Sequence, residues 1–277
     1  MERIKKAIEK VKQQTVVESN QPVQLHPDQY QTISQCPQTQ YELKDIVYKR
    51  TRVIDLQIEH LEKNRIFSFN KNNAVSMNFD LLRTQVLQKM EENDWRTLAI
   101  TSPTPQAGKT VVAINLAMSI AQQTNKSAML VDFDLRRPKI GSYLGIPMEK
   151  SLNDLLDGTA ELSDVLVNPG IPRLVVLATK NPVKKSSETL SSKKIADLIK
   201  DLRKRYESRI VIFDLPPVLV IDDAIALLPQ IDCILMVVAN GMSTKREIED
   251  SLQHLPSAKL IGTIFNKAEI NSMDYYY

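Results

Sequence analysis

Only two cysteines, Cys36 and Cys233, occur in the 277 residues, too few for a disulfide framework or a thiolate metal cluster. No stretch reaches the ~18 uninterrupted apolar residues of a membrane span; the nearest, Ile210–Leu228, is broken by Asp214, Asp222 and Asp223. The opening MERIKKAIEK lacks an apolar core, so no secretory signal is expected and the reducing cytoplasm is the expected compartment. A formal net charge of +3 speaks against a nucleic-acid partner, which needs a concentrated basic face. Aromatic residues are scarce, at 5%. What is present is ordinary for a soluble globular chain, with 43% hydrophobic and 25% charged residues, enough for one large domain or a domain with an extension.

Residues 1–18 predict a short amphipathic helix: Ile4, Ala7, Ile8 and Val11 share a face and Arg3, Lys5, Lys6, Lys10 and Lys12 crowd the rest. It either docks on its own domain or meets a partner or an acidic membrane surface. Residues 19–52, rich in Gln and carrying Pro22, Pro27 and Pro37, read as a flexible linker. From 53 to 277 the pattern is that of one domain. Helices are expected over Ile54–Ile66 and Val75–Met90, the second with Phe79, Leu82, Val86 and Met90 on one stripe. Beyond these, apolar strands (Leu98–Thr101, Ala128–Asp132, Leu174–Ala178, Ile210–Asp214, Cys233–Val238, Leu260–Phe265) are spaced by helical segments (Thr110–Gln123, Ser191–Tyr206, Asp222–Leu228, Thr244–His254). That order predicts an α/β fold of the P-loop NTPase kind, a mostly parallel sheet with helices on both faces, plus the N-terminal helical and flexible extension. Ligands then belong at the carboxyl ends of the strands.

Three strand ends carry chemistry. The first runs through Thr97–Thr110, TLAITSPTPQAGKT, where strand, loop, Gly108-Lys109-Thr110 and helix have the layout of a phosphate-binding loop. Backbone amides of Pro105–Val111 and the helix dipole favour a polyphosphate such as that of ATP. Lys109 is placed to reach the β/γ-phosphates and Thr110 to hold Mg²⁺. The second end continues Asp132-Phe133-Asp134-Leu135-Arg136-Arg137-Pro138, and the third Asp214-Leu215-Pro216-Pro217. A carboxylate ending a buried strand is costly without a partner, and a metal on phosphates is one; Thr110, Asp132 and Asp214 thus make a candidate Mg²⁺ shell. The plainer alternative is that these carboxylates cap the turns that follow. Asp134 either binds a water of the metal or accepts a proton from an attacking hydroxyl, or is a loop residue paired with Arg136 or Arg137. Asn266, after the last strand, is either a reader of the adenine edge or a turn residue.

Taken together, Ser102–Thr110, Leu130–Pro138 and Ile210–Pro217 resemble the bacterial tyrosine kinases, the P-loop autokinases of capsule and exopolysaccharide synthesis. The Asp-x-Asp-x-Arg stretch at Asp132, Asp134 and Arg136 is the most specific part, and the likeness covers about Val75 to the C-terminus. The resemblance implies a protein-tyrosine kinase that uses ATP and Mg²⁺ to phosphorylate its own C-terminal tyrosines, here Tyr275, Tyr276 and Tyr277, in trans within a homo-oligomer. Lys109, Asp132, Asp134 and Asp214 would be its catalytic residues, with Pro105, Gln106, Ala107, Gly108, Val111, Arg136 and Asn266 around the nucleotide. The read-out alternative for the three tyrosines is a frayed tail; about ten residues past Asn266 reach roughly 30 Å when extended. Also implied are control of polysaccharide chain length or export, an activating membrane chain-length protein (a polysaccharide copolymerase), and a counteracting tyrosine phosphatase. The chain resembles the soluble half of such a pair, held at the inner face of the plasma membrane through that partner. Three features depart from the family, the first being the shortness of the tyrosine cluster. Gln106 stands where its loop has glycine, so a positive φ there would be strained and would weaken nucleotide affinity or turnover. The Glu-x-x-Arg-x-x-Arg helix motif of ring assembly falls on Met77, Asp80 and Arg83, of which only Arg83 matches.

Two other functions remain open on the sequence. A partition-type ATPase switch would carry a signature lysine where this chain has Thr104. A non-catalytic nucleotide-binding scaffold is compatible with Gln106 and the degenerate helix motif.

Overall fold

The computed structural model describes residues 51–123, 125–256 and 259–268. The expected N-terminal helix, the linker up to residue 50 and Tyr275–Tyr277 lie outside the described residues.

The chain enters as a short strand β1 (Arg52–Val53), then α1 (Ile58–Lys63) and α2 (Ala74–Glu92). β2 (Thr97–Thr101), α3 (Lys109–Ala121) and β3 (Ser127–Asp132) follow. Three short helices, α4 (Ile140–Leu144), α5 (Leu152–Asp157) and α6 (Leu162–Val165), lead to β4 (Val167–Asn168) and β5 (Leu174–Leu177). Then come α7 (Ser186–Leu190), α8 (Lys193–Lys204), β6 (Arg209–Asp214), α9 (Asp223–Leu227), β7 (Cys233–Ala239), α10 (Lys245–His254) and β8 (Leu260–Asn266). Among the described residues the strands form one sheet in the order β1-β4-β5-β3-β6-β2-β7-β8. Every pairing is parallel except β4 against β5.

β2, β3, β6 and β7 are buried along their whole length, which is why they read as near-continuous apolar runs rather than alternating ones. Their side chains alternate between two cores. Leu98, Ile100, Leu130, Ile212 and Leu235 face α2 and α3. Ala99, Met129, Val131, Val211 and Phe213 face α8 and its neighbours, and Phe133 stacks on Phe213 with ring centroids 5.1 Å apart. In α3 every residue except Val111 is buried, since sheet and α2 cover it on two sides. α2 supplies Val86, Leu87 and Met90 to that core, with Phe79 and Leu82 partly buried. α8 buries only Ile195, Ile199 and Leu202 and starts on the Ser192 side chain, which accepts the Ile195 N–H.

The expected strands and longer helices are present within a few residues. The expected helix over Ile54–Ile66 is helical only at Ile58–Lys63, because Ile54 still bonds the sheet side at the Asn168 carbonyl. Arg52, read as the end of the linker, pairs in β1. α4 to α7 and β4 escaped the sequence reading, being shorter than the two turns or few alternations that a periodic pattern needs.

Parallel register positions the site. Asp132 lies directly across from Asp214 on neighbouring strands, and Ile100 lies opposite Asp214 on the other side. The ends of β2, β3 and β6 therefore share one edge, with strands about 4.8 Å apart.

Candidate active site

The loop after β2 is shaped by two left-handed residues. Gly108, the N-cap of α3, has φ 92° and ψ 16°, and a Cβ there would collide with the Asn266 amide nitrogen. That nitrogen donates to the Ala107 carbonyl at 2.8 Å, so Asn266 braces the loop from β8. Gln106 has φ 65°, the conformation its glycine-like position demands, and a residue with a Cβ holds it at a cost. The loop is also tied to the segment after β6: Val218 N–H donates to the Ser102 carbonyl at 2.9 Å and the Thr101 hydroxyl to the Pro216 carbonyl at 2.8 Å.

Lys109 opens α3 and turns into a nest of carboxylates. Its Nζ donates to Asp134 Oδ2 at 2.8 Å and lies 3.6 Å from Asp214 Oδ1. The Thr110 hydroxyl donates to Asp214 Oδ2 at 2.6 Å. Asp132 Oδ2 accepts the backbone N–H groups of Lys139 and Ile140, both at 3.0 Å. Burial opposes the Lys109 charge, but Asp214 and Asp134 outweigh it and hold the ammonium above the ordinary lysine value. Burial pushes the Asp132 carboxyl well above the usual carboxylate range, and the like charge of Asp214 adds to it. Asp214 is raised less, because Lys109 and the Thr110 hydroxyl oppose its burial.

Two oxygens here have no hydrogen-bond donor among the described residues, Asp132 Oδ1 and Asp214 Oδ1. Buried carboxylate oxygens are seldom left so. Together with the Thr110 hydroxyl they form a hard oxygen set of the kind Mg²⁺ takes, and Mg²⁺ usually draws the rest of its shell from phosphates and water. The residues present fit a magnesium–nucleotide.

Above this centre lies a cavity of about 620 Å³. Of the residues the sequence singled out, Pro105, Gln106, Gly108, Lys109, Thr110, Val111, Asp134 and Arg136 line it. Asp132 and Asp214 sit beneath, fully buried, and Ala107 and Asn266 stand behind the loop. Among the described residues Asp134 pairs with no arginine side chain; its Oδ1 accepts the Arg137 backbone N–H at 3.1 Å. Arg136 instead reaches Ser186 Oγ at 2.7 Å and the buried Asp223 at 3.4 Å. Sequence reasoning missed Arg137, Lys139, Tyr143, Val220, Ile221 and Lys267 on the cavity wall. Their only signal was adjacency to the Asp-x-Asp and Asp-x-Pro-Pro strand ends and to Asn266. On α2, Arg83 is turned onto its own chain, bonding Asp80 at 2.7 Å and the Ser119 carbonyl at 3.2 Å, while Met77 is exposed.

No family model matches the chain. The tyrosine-protein kinase CpsD of Streptococcus pneumoniae serotype 4 is 32% identical over 183 residues, covering 65% of this chain and 79% of CpsD. The chain belongs to the bacterial tyrosine-protein kinase family. A second member, the putative tyrosine-protein kinase EpsB of Ralstonia nicotianae, is 32% identical over 198 residues, or 71% of this chain. The match takes in only 26% of EpsB, so the chain spans about a quarter of that relative's length. Among solved structures, the kinase domain of the Escherichia coli tyrosine kinase ETK matches 84% of this chain and 95% of that domain, at 27% identity and a TM-score of 0.68. The fold of the family is thus the fold of this chain, a P-loop nucleotide-binding sheet. No helix among the described residues is long and apolar enough to cross a membrane.

Proposed function

We propose that this chain is an ATP-dependent protein-tyrosine kinase that transfers the γ-phosphoryl group of ATP to Tyr275, Tyr276 and Tyr277 of another copy. One observation carries the reading: Lys109 Nζ stands 2.8 Å from Asp134 and 3.6 Å from Asp214, at the mouth of a glycine-capped helix, with Thr110 on the same Asp214. Such a cluster holds polyphosphate at the helix N-terminus and places a cation where charge develops on the transferred group. A tyrosine oxygen attacks the γ-phosphorus in line, the bond from phosphorus to the β,γ-bridging oxygen breaks, and ADP leaves. The phenolic proton goes to a carboxylate. Asp134 suits that role better than Asp132, since Asp134 lines the cavity whereas Asp132 is wholly buried beneath it. When bound, Mg²⁺ would neutralise phosphate charge, held by Thr110, Asp132 and Asp214.

Kinship with CpsD and EpsB supports a role in regulating capsule or exopolysaccharide chain length or export. We further infer homo-oligomers, an activating membrane chain-length protein that would hold the kinase at the inner membrane face, and a tyrosine phosphatase that reverses the reaction, as the family resemblance implies. The test is incubation of wild type and Lys109→Met with ATP and Mg²⁺, with and without the cytoplasmic tail of a chain-length protein, followed by mass spectrometry of the C-terminal peptide. Phosphate on the tyrosine triplet in wild type alone is the expected result. ATP hydrolysis with ATP-dependent dimerisation and no phosphotyrosine would favour the partition-type switch.

A further inference from the structure

The segment between Asp134 and Ile140 carries three cations, and they are used differently. Arg136 is held inward by Ser186 and Asp223. Arg137 and Lys139 have their backbone N–H groups bound by Asp134 and Asp132, which fixes the segment. Their side chains are exposed, line the cavity, and have no hydrogen-bond or ion-pair partner among the described residues. Lys109, by contrast, faces three carboxylates in the floor. The floor therefore carries surplus negative charge while this part of the rim carries two uncompensated positive ones.

Sheet order decides which substrate meets that rim. β2 and its phosphate loop lie between β3, reached through β6, and β7 with β8. Lys109 Nζ points to Asp134, just past β3; since a phosphate-loop lysine reaches the β/γ-phosphates, the γ-end of a phosphate chain would lie on the β3 side, leaving the Lys267 wall of the cavity to the nucleoside. Arg137, Lys139 and the half-buried Tyr143 stand on the γ-phosphate side, where an acceptor must approach. The tail of this chain matches them in charge: after Lys267 it holds Glu269 and Asp274 and no Lys or Arg, and Asp274 directly precedes Tyr275.

We propose that Arg137 and Lys139 select the acceptor, favouring tyrosines preceded by an acidic residue, and that Asp274 of a second copy is the group they meet. This rests on the kinase reading above. Charged pairs across a rim steer encounter and set partner choice more than they set turnover, so the effect belongs in the acceptor KM.

The test uses full chains in trans. The enzyme carries Phe in place of Tyr275, Tyr276 and Tyr277; the acceptor is a Lys109→Met chain with its tail intact or with Asp274→Lys. Initial rates of phosphotyrosine formation are measured against acceptor concentration. Asp274→Lys is expected to raise the acceptor KM about five- to tenfold with kcat nearly kept. An enzyme with Arg137→Glu and Lys139→Glu is expected to lose a similar factor on the Asp274 acceptor and to regain most of it on the Asp274→Lys acceptor. Recovery by charge exchange is something a misfolded enzyme cannot give. Equal rates on both acceptors with the unchanged enzyme, or equal losses on both with the double variant, would overturn the proposal while leaving the kinase standing. No phosphotyrosine in any wild-type reaction would overturn the kinase reading and the acceptor preference with it.

Discussion

Gln106 offers the most quantitative check on the loop geometry. At φ 65° a residue bearing a Cβ pays roughly 1–2 kcal/mol relative to an ordinary conformation. Replacing it with glycine removes that strain but adds the backbone entropy that glycine loses on folding, about 0.5–1 kcal/mol. The difference leaves Gln106→Gly more stable by up to about 1.5 kcal/mol, which for a domain of this size is at most about 6 °C in Tm. The Gln106 side chain is exposed, so little packing is lost to confuse the balance. Gln106→Ala is the control: it keeps the Cβ and the strain and should stay within about 0.5 kcal/mol of wild type. Urea and thermal unfolding of the three proteins, followed by circular dichroism, gives the comparison. Because the fold already holds the loop in its left-handed shape, the KM for ATP should change less than the stability does. A glycine variant less stable than wild type by about 0.5 kcal/mol, the usual penalty in a right-handed position, would refute the strain argument.

Asp132→Asn should be more stable than wild type near pH 7 by about 1–2 kcal/mol and inactive, as often holds for buried functional charges. The sign follows from linkage: the folded Asp132 keeps its proton above the ordinary carboxylate value of 3.8, so the native state binds more protons in that window and wild-type stability falls as pH rises through it. Asparagine cannot titrate, so the gain should shrink as pH drops below about 4; a gain independent of pH in urea titrations from pH 3 to 8 would contradict this. Asn115 is fully buried in α3, accepting the N–H groups of Phe67 and Ser68 and donating to the Arg65 and Val111 carbonyls. Asn115→Ala should cost about 2–4 kcal/mol and expose the 65–68 turn to faster amide exchange; a cost under about 0.5 kcal/mol would show that water replaces the amide freely.

The sheet was legible in the sequence because β2, β3, β6 and β7 are buried on both faces and carry apolar residues between their first and last positions. The same contrast exposed Asp132 and Asp214: a carboxylate that closes an apolar run has few structural excuses. Asp134 was singled out by its position, with Arg136 or Arg137 as its expected partner; that Lys109 takes this place depends on where α3 and β3 meet, which no local pattern encodes. Arg137 and Lys139 were invisible as site residues because a surface cation reads the same whether it faces water or a cavity. The bracing role of Asn266 depends on a contact with Ala107, 159 residues away, and no local pattern encodes it. Nothing in the sequence marks Asn115, and only the packing of residues 65–68 onto α3 gives its amide four partners. α4, which brings Tyr143 to the cavity, is a single turn and a half of helix, too short for periodicity to mark.

The central claim is phosphoryl transfer from ATP to the tyrosine tail through the cluster of Lys109, Asp134 and Asp214. Its most direct measurement is the mass of the C-terminal peptide after incubation with ATP and Mg²⁺, for wild type, Lys109→Met and Asp214→Asn, each first shown to be folded by circular dichroism. Phosphate on Tyr275, Tyr276 or Tyr277 in wild type, and on neither variant, is the predicted result. An unmodified wild-type tail in the presence of an activating partner tail, or a tail phosphorylated equally in all three proteins, would contradict the account.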